Sequence, residues 1–505
     1  MAPSAISTAT GADEGSGQYA NGISSLDGQL DGMHLNGCSN GNGHARPQSS
    51  SDEILDLVCI GFGPASLAIA IALHDTQDAI SPVPNALFLE KQPQFAWHAG
   101  MQLPGAKMQI SFLKDLATPR DPRSRFTFIN YLFEKRRLNQ FINLSTFLPT
   151  RVEYEDYLRW CASHFEREGK VTYGVEVESV RPSSQTSEGK VTSWEVTARD
   201  IATGHSVTRR ARHVVIAVGG RPVVPQNMQG LKHVAHSSQF ASTITQIQKR
   251  EEGRRLRFAV IGSGQSAAEI FNDLWERFPD AQVKLVIKGA SLRPSDDSPF
   301  VNEIFDPDRV DGIYSQNPNE RATAIALDRG TNYGVVRLEL LEHLYQKQYM
   351  QRLESSDESR WRCRIIPNRT VLSASQISNS GVALRLGDLD ATKRGNGEDE
   401  LEVDYVFTAT GYVRNAHESM LAEVRTLLPE SLQKEGKFAV ARNYRVKLDE
   451  AKVDGRAGVW LQGCNEGTHG LSDTLLSILA VRGGELVRSI FGKGDVGSEG
   501  SSSPA

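Results

Sequence analysis

Cysteine is scarce in this chain of 505 residues. Cys38, Cys59, Cys161, Cys363 and Cys464 are odd in number, widely scattered and include no C-x-x-C pair. A disulfide framework, a structural zinc site and a dithiol redox centre are therefore not expected, and no metal site is assigned; the pattern points to a reducing compartment. Long apolar runs are missing as well. The longest, around Ser66 to Leu73, is far too short to span a bilayer and reads as a buried helix. Excess positive charge is absent, since the formal net charge is -5, so neither nucleic acid nor an anionic membrane surface is an expected partner. The first fifty residues have few large apolar side chains and are rich in Gly, Ser, Ala and Asn, so 1–50 is expected to be a disordered tail, as is 494–505. No arginine precedes Arg46 and no apolar core stands near the start, so neither a transit peptide nor a secretory signal is expected. The last residues do not form a peroxisomal tripeptide, which makes a cytoplasmic location the default.

The length is too great for one ordinary domain and sufficient for two or three. Leu55 to Ile60 is an apolar run suited to a buried parallel strand. It leads into Gly61-Phe62-Gly63-Pro64-Ala65-Ser66 and a helical stretch, Leu67 to His74. In such a turn the first Gly permits the bend, the second lets a phosphate approach the backbone, and the helix N-terminus faces the negative charge. Pro64 enters the turn and Ser66 replaces the third Gly. A second strand, Ala86 to Glu90, ends in an acid about 29 residues beyond Gly61, somewhat past the usual ~20. An acid there accepts from ribose hydroxyls and repels a 2′-phosphate, which suits FAD or NAD.

The unit recurs at Phe258-Ala259-Val260-Ile261-Gly262-Ser263-Gly264-Gln265-Ser266-Ala267, followed by helical Ala268 to Phe278. Its next strand, Val283 to Ile287, ends at Lys288, and a cation there pairs with the 2′-phosphate of NADPH. The plainer alternative for Lys288, given less weight, is a solvated strand-end lysine. Two further buried runs, Val214 to Pro222 and Asp404 to Tyr412, each end in a Gly-containing turn. They read as crossings, by which the chain leaves a first dinucleotide domain and later returns to it. Ser183 to Lys190 and Asp388 to Glu400 are polar and read as hairpin loops or surface insertions.

The sequence resembles the N-hydroxylating flavoprotein monooxygenases, specifically the fungal L-ornithine N5-monooxygenases that start hydroxamate siderophore synthesis. The segments that carry the resemblance are Phe95-Ala96-Trp97-His98, Lys107 to Leu116, Asp296 to Glu303, Thr331-Asn332-Tyr333, Ala409-Thr410-Gly411-Tyr412 and Gly470 to Ser477. It runs from roughly Asp52 to Phe491. The resemblance implies that FAD is held by Gly61, Gly63, Glu90, Lys91, Gln92, Pro93, Gln94, Phe95, Ala96, Trp97, His98 and Gln109. Thr474, Leu475 and Leu476 would add backbone contacts, and Val177 would lie at the adenine end. Ser263, Gly264, Gln265, Ser266 and Lys288 would bind NADPH; members often carry Arg in place of Lys288, which would turn a bidentate clamp into a point-charge contact. Ornithine would be gripped by Lys114, Asn302 and Ser477, with Asn332 where ornithine and nicotinamide meet. Singly, each of these has a plainer reading, as a solvated lysine or a polar turn residue.

The expected fold is α/β, with two Rossmann-like dinucleotide-binding domains and a smaller substrate-binding segment. The expected division assigns 51–250 and 407–493 to FAD, 251–297 and 346–406 to NADPH, and 298–345 to ornithine. The implied reaction is NADPH- and O2-dependent hydroxylation of the ornithine side-chain amine, with no acid-base residue assigned and with a homotetramer as the implied assembly. An L-lysine N6-monooxygenase or another primary-amine hydroxylase would share every cofactor motif. A non-catalytic FAD/NADPH redox sensor would share them without hydroxylating anything.

Overall fold

In the computed structural model, which describes residues 53–377, 381–389 and 399–492, the first apolar run is the strand Ile54–Ile60. Parallel neighbours flank it on both sides, Ala86–Glu90 and Ser206–Ile216. Its side chains alternate between two cores. Leu57 and Cys59 face the helices Pro64–Asp75, Arg151–Arg167 and Leu479–Phe491, whereas Val58 and Ile60 join Leu421, Val424 and Leu428 on the opposite face. Burial on both faces explains why the run is apolar without interruption. Each fully buried aliphatic side chain contributes about 1.5–3 kcal/mol relative to exposure.

The first sheet runs Val171–Tyr173, Ala86–Glu90, Ile54–Ile60, Ser206–Ile216, Trp194–Asp200, Val175–Pro182. Ser206–Ile216 changes partner along its length. Its first half pairs antiparallel with Trp194–Asp200, and its last residues pair parallel with Gly458–Leu461. The stretch 183–190 closes the antiparallel pair Val175–Pro182 and Trp194–Asp200, with a bridge from Gln185 to Val191.

The second sheet is wholly parallel, in the order Cys363–Ile366, Gln282–Val286, Arg257–Ile261, Tyr405–Thr408, Val234–His236. Val234–His236 thus joins this sheet ahead of the boundary expected at 250. Its pairing with Tyr405–Thr408, far away in sequence, carries no local signal. One face is covered by the helices Phe240–Arg250, Gln265–Arg277 and Leu338–Glu354. The other packs on an antiparallel sheet of Arg369–Ile377, Gly381–Asp388 and Asp399–Val403. The polar stretch from Asp388 lies between the last two of these strands, and its residues 390–398 are outside the described residues, as are the expected tails 1–50 and 494–505.

The two buried crossings meet. Arg221–Pro222, just past the first, pairs antiparallel with Tyr412–Val413 at the end of the second. The chain therefore passes between the sheets through one two-stranded connection. Cys59, Cys161 and Cys363 are buried and unpaired, and burial raises each thiol away from the reactive thiolate form.

Candidate active site

At the end of Ile54–Ile60 the chain turns at Gly61, whose φ is +88°. A Cβ there would sit 2.7 Å from the carbonyl oxygen of Ala217, so a side chain meets both strain and backbone. Gly63 caps the helix Pro64–Asp75, and a Cβ on Gly63 would meet nothing within 4 Å. That open space faces a helix start with Pro at its first turn, no acidic side chain there and no side-chain cap. The first-turn amides of Ala65 and Ser66 have no partner within the helix, and the helix dipole makes this end positive. The Ser66 hydroxyl is fully buried without a partner, in the place where a third Gly lets helix and strand pack closely. Glu90 accepts from the amides of Phe62 at 2.7 Å and Gln92 at 2.8 Å, which ties the end of the second strand to the turn. Each carboxylate oxygen keeps a further lone pair for a ribose hydroxyl.

The second turn repeats this construction. Gly262 has φ +142°, and its Cβ would lie 2.5 Å from the carbonyl oxygen of Ala409. Gly264 caps the helix Gln265–Arg277, again with no acid in the first turn. Ala217 and Ala409 both belong to the crossings, so each crossing backs one Gly-rich turn. Both turns fit a dinucleotide pyrophosphate. Lys288 stands exposed just beyond Gln282–Val286.

The structure also gathers residues from four distant segments. Lys114 Nζ lies 3.0 Å from Asp306 Oδ1. Ser477 Oγ donates to the carbonyl of Phe305 at 3.1 Å. Lys114 and Ser477 therefore meet at the Phe305–Asp306 turn. Tyr333, next to Asn332, donates to Glu466 and lies 3.4 Å from the hydroxyl of Thr474, while Arg329 stacks over its ring at 4.2 Å. Burial first, and then Glu466, raises the Tyr333 hydroxyl above its usual range, so it stays a protonated donor. A Cβ on Gly264 would fall 3.5 Å from Gly334 Cα, which sets the second turn against the Asn332–Gly334 segment. The loop Thr474–Ser477 is anchored from below by Asp473, whose buried carboxylate pairs with Arg482 at 2.8 Å and accepts from Asn465 N at 2.7 Å.

Other expected positions make no hydrogen bond to these residues among those described. The Asn302 amide is exposed and turns back to the carbonyl of Asp297 at 2.9 Å. Val177 is buried in the core behind the first sheet. Lys91 to Gln94 and His98 are open to solvent, whereas Phe95 is buried and Trp97 packs on Tyr154.

A chain of hydrogen bonds joins the helix after the second turn to the segment Met101 to Met108. Arg151 grips Glu269 through two bonds of 2.7 and 2.8 Å and also donates to Met101 O. Gln265 donates to Glu269 and accepts from Arg337 N, and Arg337 reaches Met108 O at 3.2 Å. Bidentate pairing with both partners mostly buried is the strong form of such a contact.

The model of the L-lysine 6-monooxygenase/L-ornithine 5-monooxygenase family matches residues 53–414. The chain belongs to this family. It is 51% identical over 466 residues to the L-ornithine N(5)-monooxygenase of Cochliobolus heterostrophus, covering 88% of this chain and 87% of that one. Its fold is similar to that of the ornithine hydroxylase PvdA from Pseudomonas aeruginosa, with a TM-score of 0.77 at 36% identity, over 87% of this chain and 99% of that one. The Kutzneria sp. 744 ornithine N-hydroxylase KtzI, solved with reduced FAD, NADP+ and L-ornithine, gives 0.77 at 35% identity, over 87% and 99%.

Within this member of the lysine/ornithine monooxygenase family, sequence reasoning missed Asp306, Arg337, Glu269 and Arg151. A polar side chain among apolar ones, such as Asp306 after Ile304-Phe305, was a faint signal. The partners of the other three are invisible along the chain. Lys288 supplies a direct test of the second turn. Lys288→Ala should weaken NADPH by roughly ten- to a hundredfold, the usual range for a charge-assisted contact of ~1.5–3 kcal/mol, and leave NADH nearly untouched. Steady-state kinetics with both reductants measure this, and equal losses for the two would remove Lys288 from the site.

Proposed function

We propose that the chain is an L-ornithine N5-monooxygenase that forms N5-hydroxyornithine for hydroxamate siderophores. Support comes from membership of the family, from relatives named for this activity, and above all from the meeting of Lys114 and Ser477 at one turn beside Thr474. The first sheet is assigned to FAD, the second to NADPH and the 298–345 segment to substrate. The balanced reaction is R–NH2 + O2 + NADPH + H+ → R–NHOH + H2O + NADP+. Bound FAD and NADPH supply the reducing equivalents and the activation of oxygen.

The protein's own residues bind, orient and exclude water. The amides at the start of the helix Pro64–Asp75 take the flavin pyrophosphate, and those at the start of Gln265–Arg277 take that of NADPH. Lys114 takes the substrate carboxylate, and Ser477 holds the turn that carries Asp306. The Arg151–Glu269–Gln265–Arg337 chain holds the nicotinamide side against the flavin side, because reaction across two cofactors depends on their alignment. The substrate amine must be neutral to act as a nucleophile. With a pKa near ~10.4 only about one molecule in a few thousand is neutral at pH 7, so excluding water from the bound amine favours the uncharged form.

A cytoplasmic homotetramer completes the reading. No helix among the described residues is long and apolar enough to cross a membrane. Exposed Phe133, Ile142, Leu144 and Phe147 offer an apolar face that such an assembly would bury.

The test is product analysis after incubating the purified holoprotein with NADPH, oxygen and, separately, L-ornithine, L-lysine and other primary amines. Ornithine should give a product heavier by one oxygen and positive in a hydroxylamine assay. A preference for lysine would select the N6-monooxygenase instead. NADPH oxidation indifferent to every amine would indicate the redox sensor.

A further inference from the structure

Glu466 follows the strand Gly458–Leu461 of the first sheet and precedes the loop Thr474–Ser477. Its carboxylate accepts from two residues of the 298–345 segment, Arg329 at 2.6 Å and the hydroxyl of Tyr333. The Arg329 guanidinium also lies over the Tyr333 ring at 4.2 Å, so the three side chains close a triangle. Asn332 sits inside the span Arg329 to Tyr333, both ends of which bond to Glu466. The next residue, Gly334, packs on the second Gly-rich turn, where a Cβ would lie 3.7 Å from Ser263 Oγ.

The two arms are unequal. Arg329 is 54% exposed, and an ion pair that open adds little net stability. Tyr333 is half-buried and stays protonated, so it gives Glu466 a charge-assisted bond, the stronger kind. Other bonds hold the rest of the segment without Glu466. Arg321 donates to Gly467 O at 3.1 Å, and Tyr314 donates to Val440 O at 3.2 Å. Loss of Glu466 therefore frees the stretch from Arg329 to Gly334 and leaves the segment attached.

Resting on the assignment of the second turn to NADPH and of Asn332 to the meeting of ornithine and nicotinamide, we propose that Glu466 is a positioning residue that aligns the nicotinamide with the flavin. It acts through Tyr333 rather than on a reactant. A loosened span lets the nicotinamide take several orientations, of which only some bring it close enough to reduce the flavin. A misplaced nicotinamide also admits water, which favours the unproductive balance NADPH + H+ + O2 → NADP+ + H2O2 over hydroxylation of the amine.

The experiment compares the flavin-loaded full-length protein with Glu466→Ala, Glu466→Gln, Tyr333→Phe and the Glu466→Ala/Tyr333→Phe double variant. The readouts are NADP+ affinity by calorimetry, the anaerobic rate of flavin reduction by NADPH, and hydroxyornithine formed per NADPH consumed. Glu466→Ala should weaken NADP+ and slow flavin reduction by about three- to tenfold, the range for one lost hydrogen bond. Its product per NADPH should fall, with hydrogen peroxide making up the difference. Glu466→Gln should keep most of all three values, because its amide oxygen still accepts from Tyr333. Tyr333→Phe should match Glu466→Ala, and the double variant should be little worse than either, since both changes remove the same bond. Flavin content and thermal stability should stay near wild type. Unchanged NADP+ affinity and product ratio in Glu466→Ala, an equal loss in Glu466→Gln, or additive losses in the double variant would overturn the assignment. A wild type that does not hydroxylate ornithine would overturn the ornithine reading alone, since NADP+ affinity and flavin reduction judge Glu466 without ornithine.

Discussion

Gly61→Val should purify without its yellow colour. The native residue has φ +88°, a region where an L-residue costs roughly 1–2 kcal/mol and a β-branched one more. The clash adds to the strain. The new Cβ would lie 2.7 Å from Ala217 O and 3.0 Å from Val218 Cα, both backbone atoms that no rotamer change can move. Relief must come from shifting the turn, which displaces the first-turn amides of the helix Pro64–Asp75 from the open space beside Gly63. The corresponding change in the other turn, Gly262→Val, meets Ala409 O at 2.5 Å and should have a different outcome. That protein should remain yellow and be reduced by dithionite, but not by NADPH. Visible spectra of the two purified variants, before and after each reductant, check both statements. A yellow Gly61→Val protein, or a Gly262→Val protein still reduced by NADPH, would show that the turn concerned does not hold its assigned cofactor.

Lys114→Ala should raise the KM for ornithine by roughly a hundredfold while flavin content and the slow oxidation of NADPH without ornithine persist. Loss of a charge-assisted contact is typically worth ~1.5–3 kcal/mol, or roughly ten- to a hundredfold. The structure places this case at the upper end. Removing Lys114 also leaves Asp306 without its 3.0 Å partner, so the incoming carboxylate meets a bare negative charge where a cation had been. Lys114 makes no hydrogen bond or ion pair to the first Gly-rich turn among the described residues, which is why the flavin should remain. Steady-state kinetics with ornithine and the flavin spectrum measure the two effects separately. A colourless Lys114→Ala protein would assign Lys114 to the flavin site or to folding.

How far the sequence can be read depends on how far apart the cooperating residues lie. The two Gly-rich turns were legible because such a turn is built from consecutive residues: a strand end, glycines and a helix N-terminus. The second strand after each turn was legible too, since Ala86–Glu90 and Gln282–Val286 are short apolar runs with one distinctive charge near their ends. The segments carrying the resemblance imply chemistry for Lys114 and Ser477, but not that they meet at one turn.

What a local reading cannot contain is a pairing between distant segments. The strand Val234–His236 has no feature that sends it to the second sheet; its place comes from hydrogen bonding to Tyr405–Thr408. The crossings were recognisable as buried strands, yet their positions against Gly61 and Gly262, through Ala217 and Ala409, follow from packing. Asp306 is an ordinary acid after an apolar pair until the turn brings it to Lys114. Arg151 and Glu269 are a routine helical arginine and glutamate until the fold buries them together. By itself the sequence determined the fold class, the two Gly-rich turns and the family. Tertiary structure alone decided which side chains converge, because charge and hydrogen-bond complementarity act through space, between residues that chain order keeps more than a hundred positions apart.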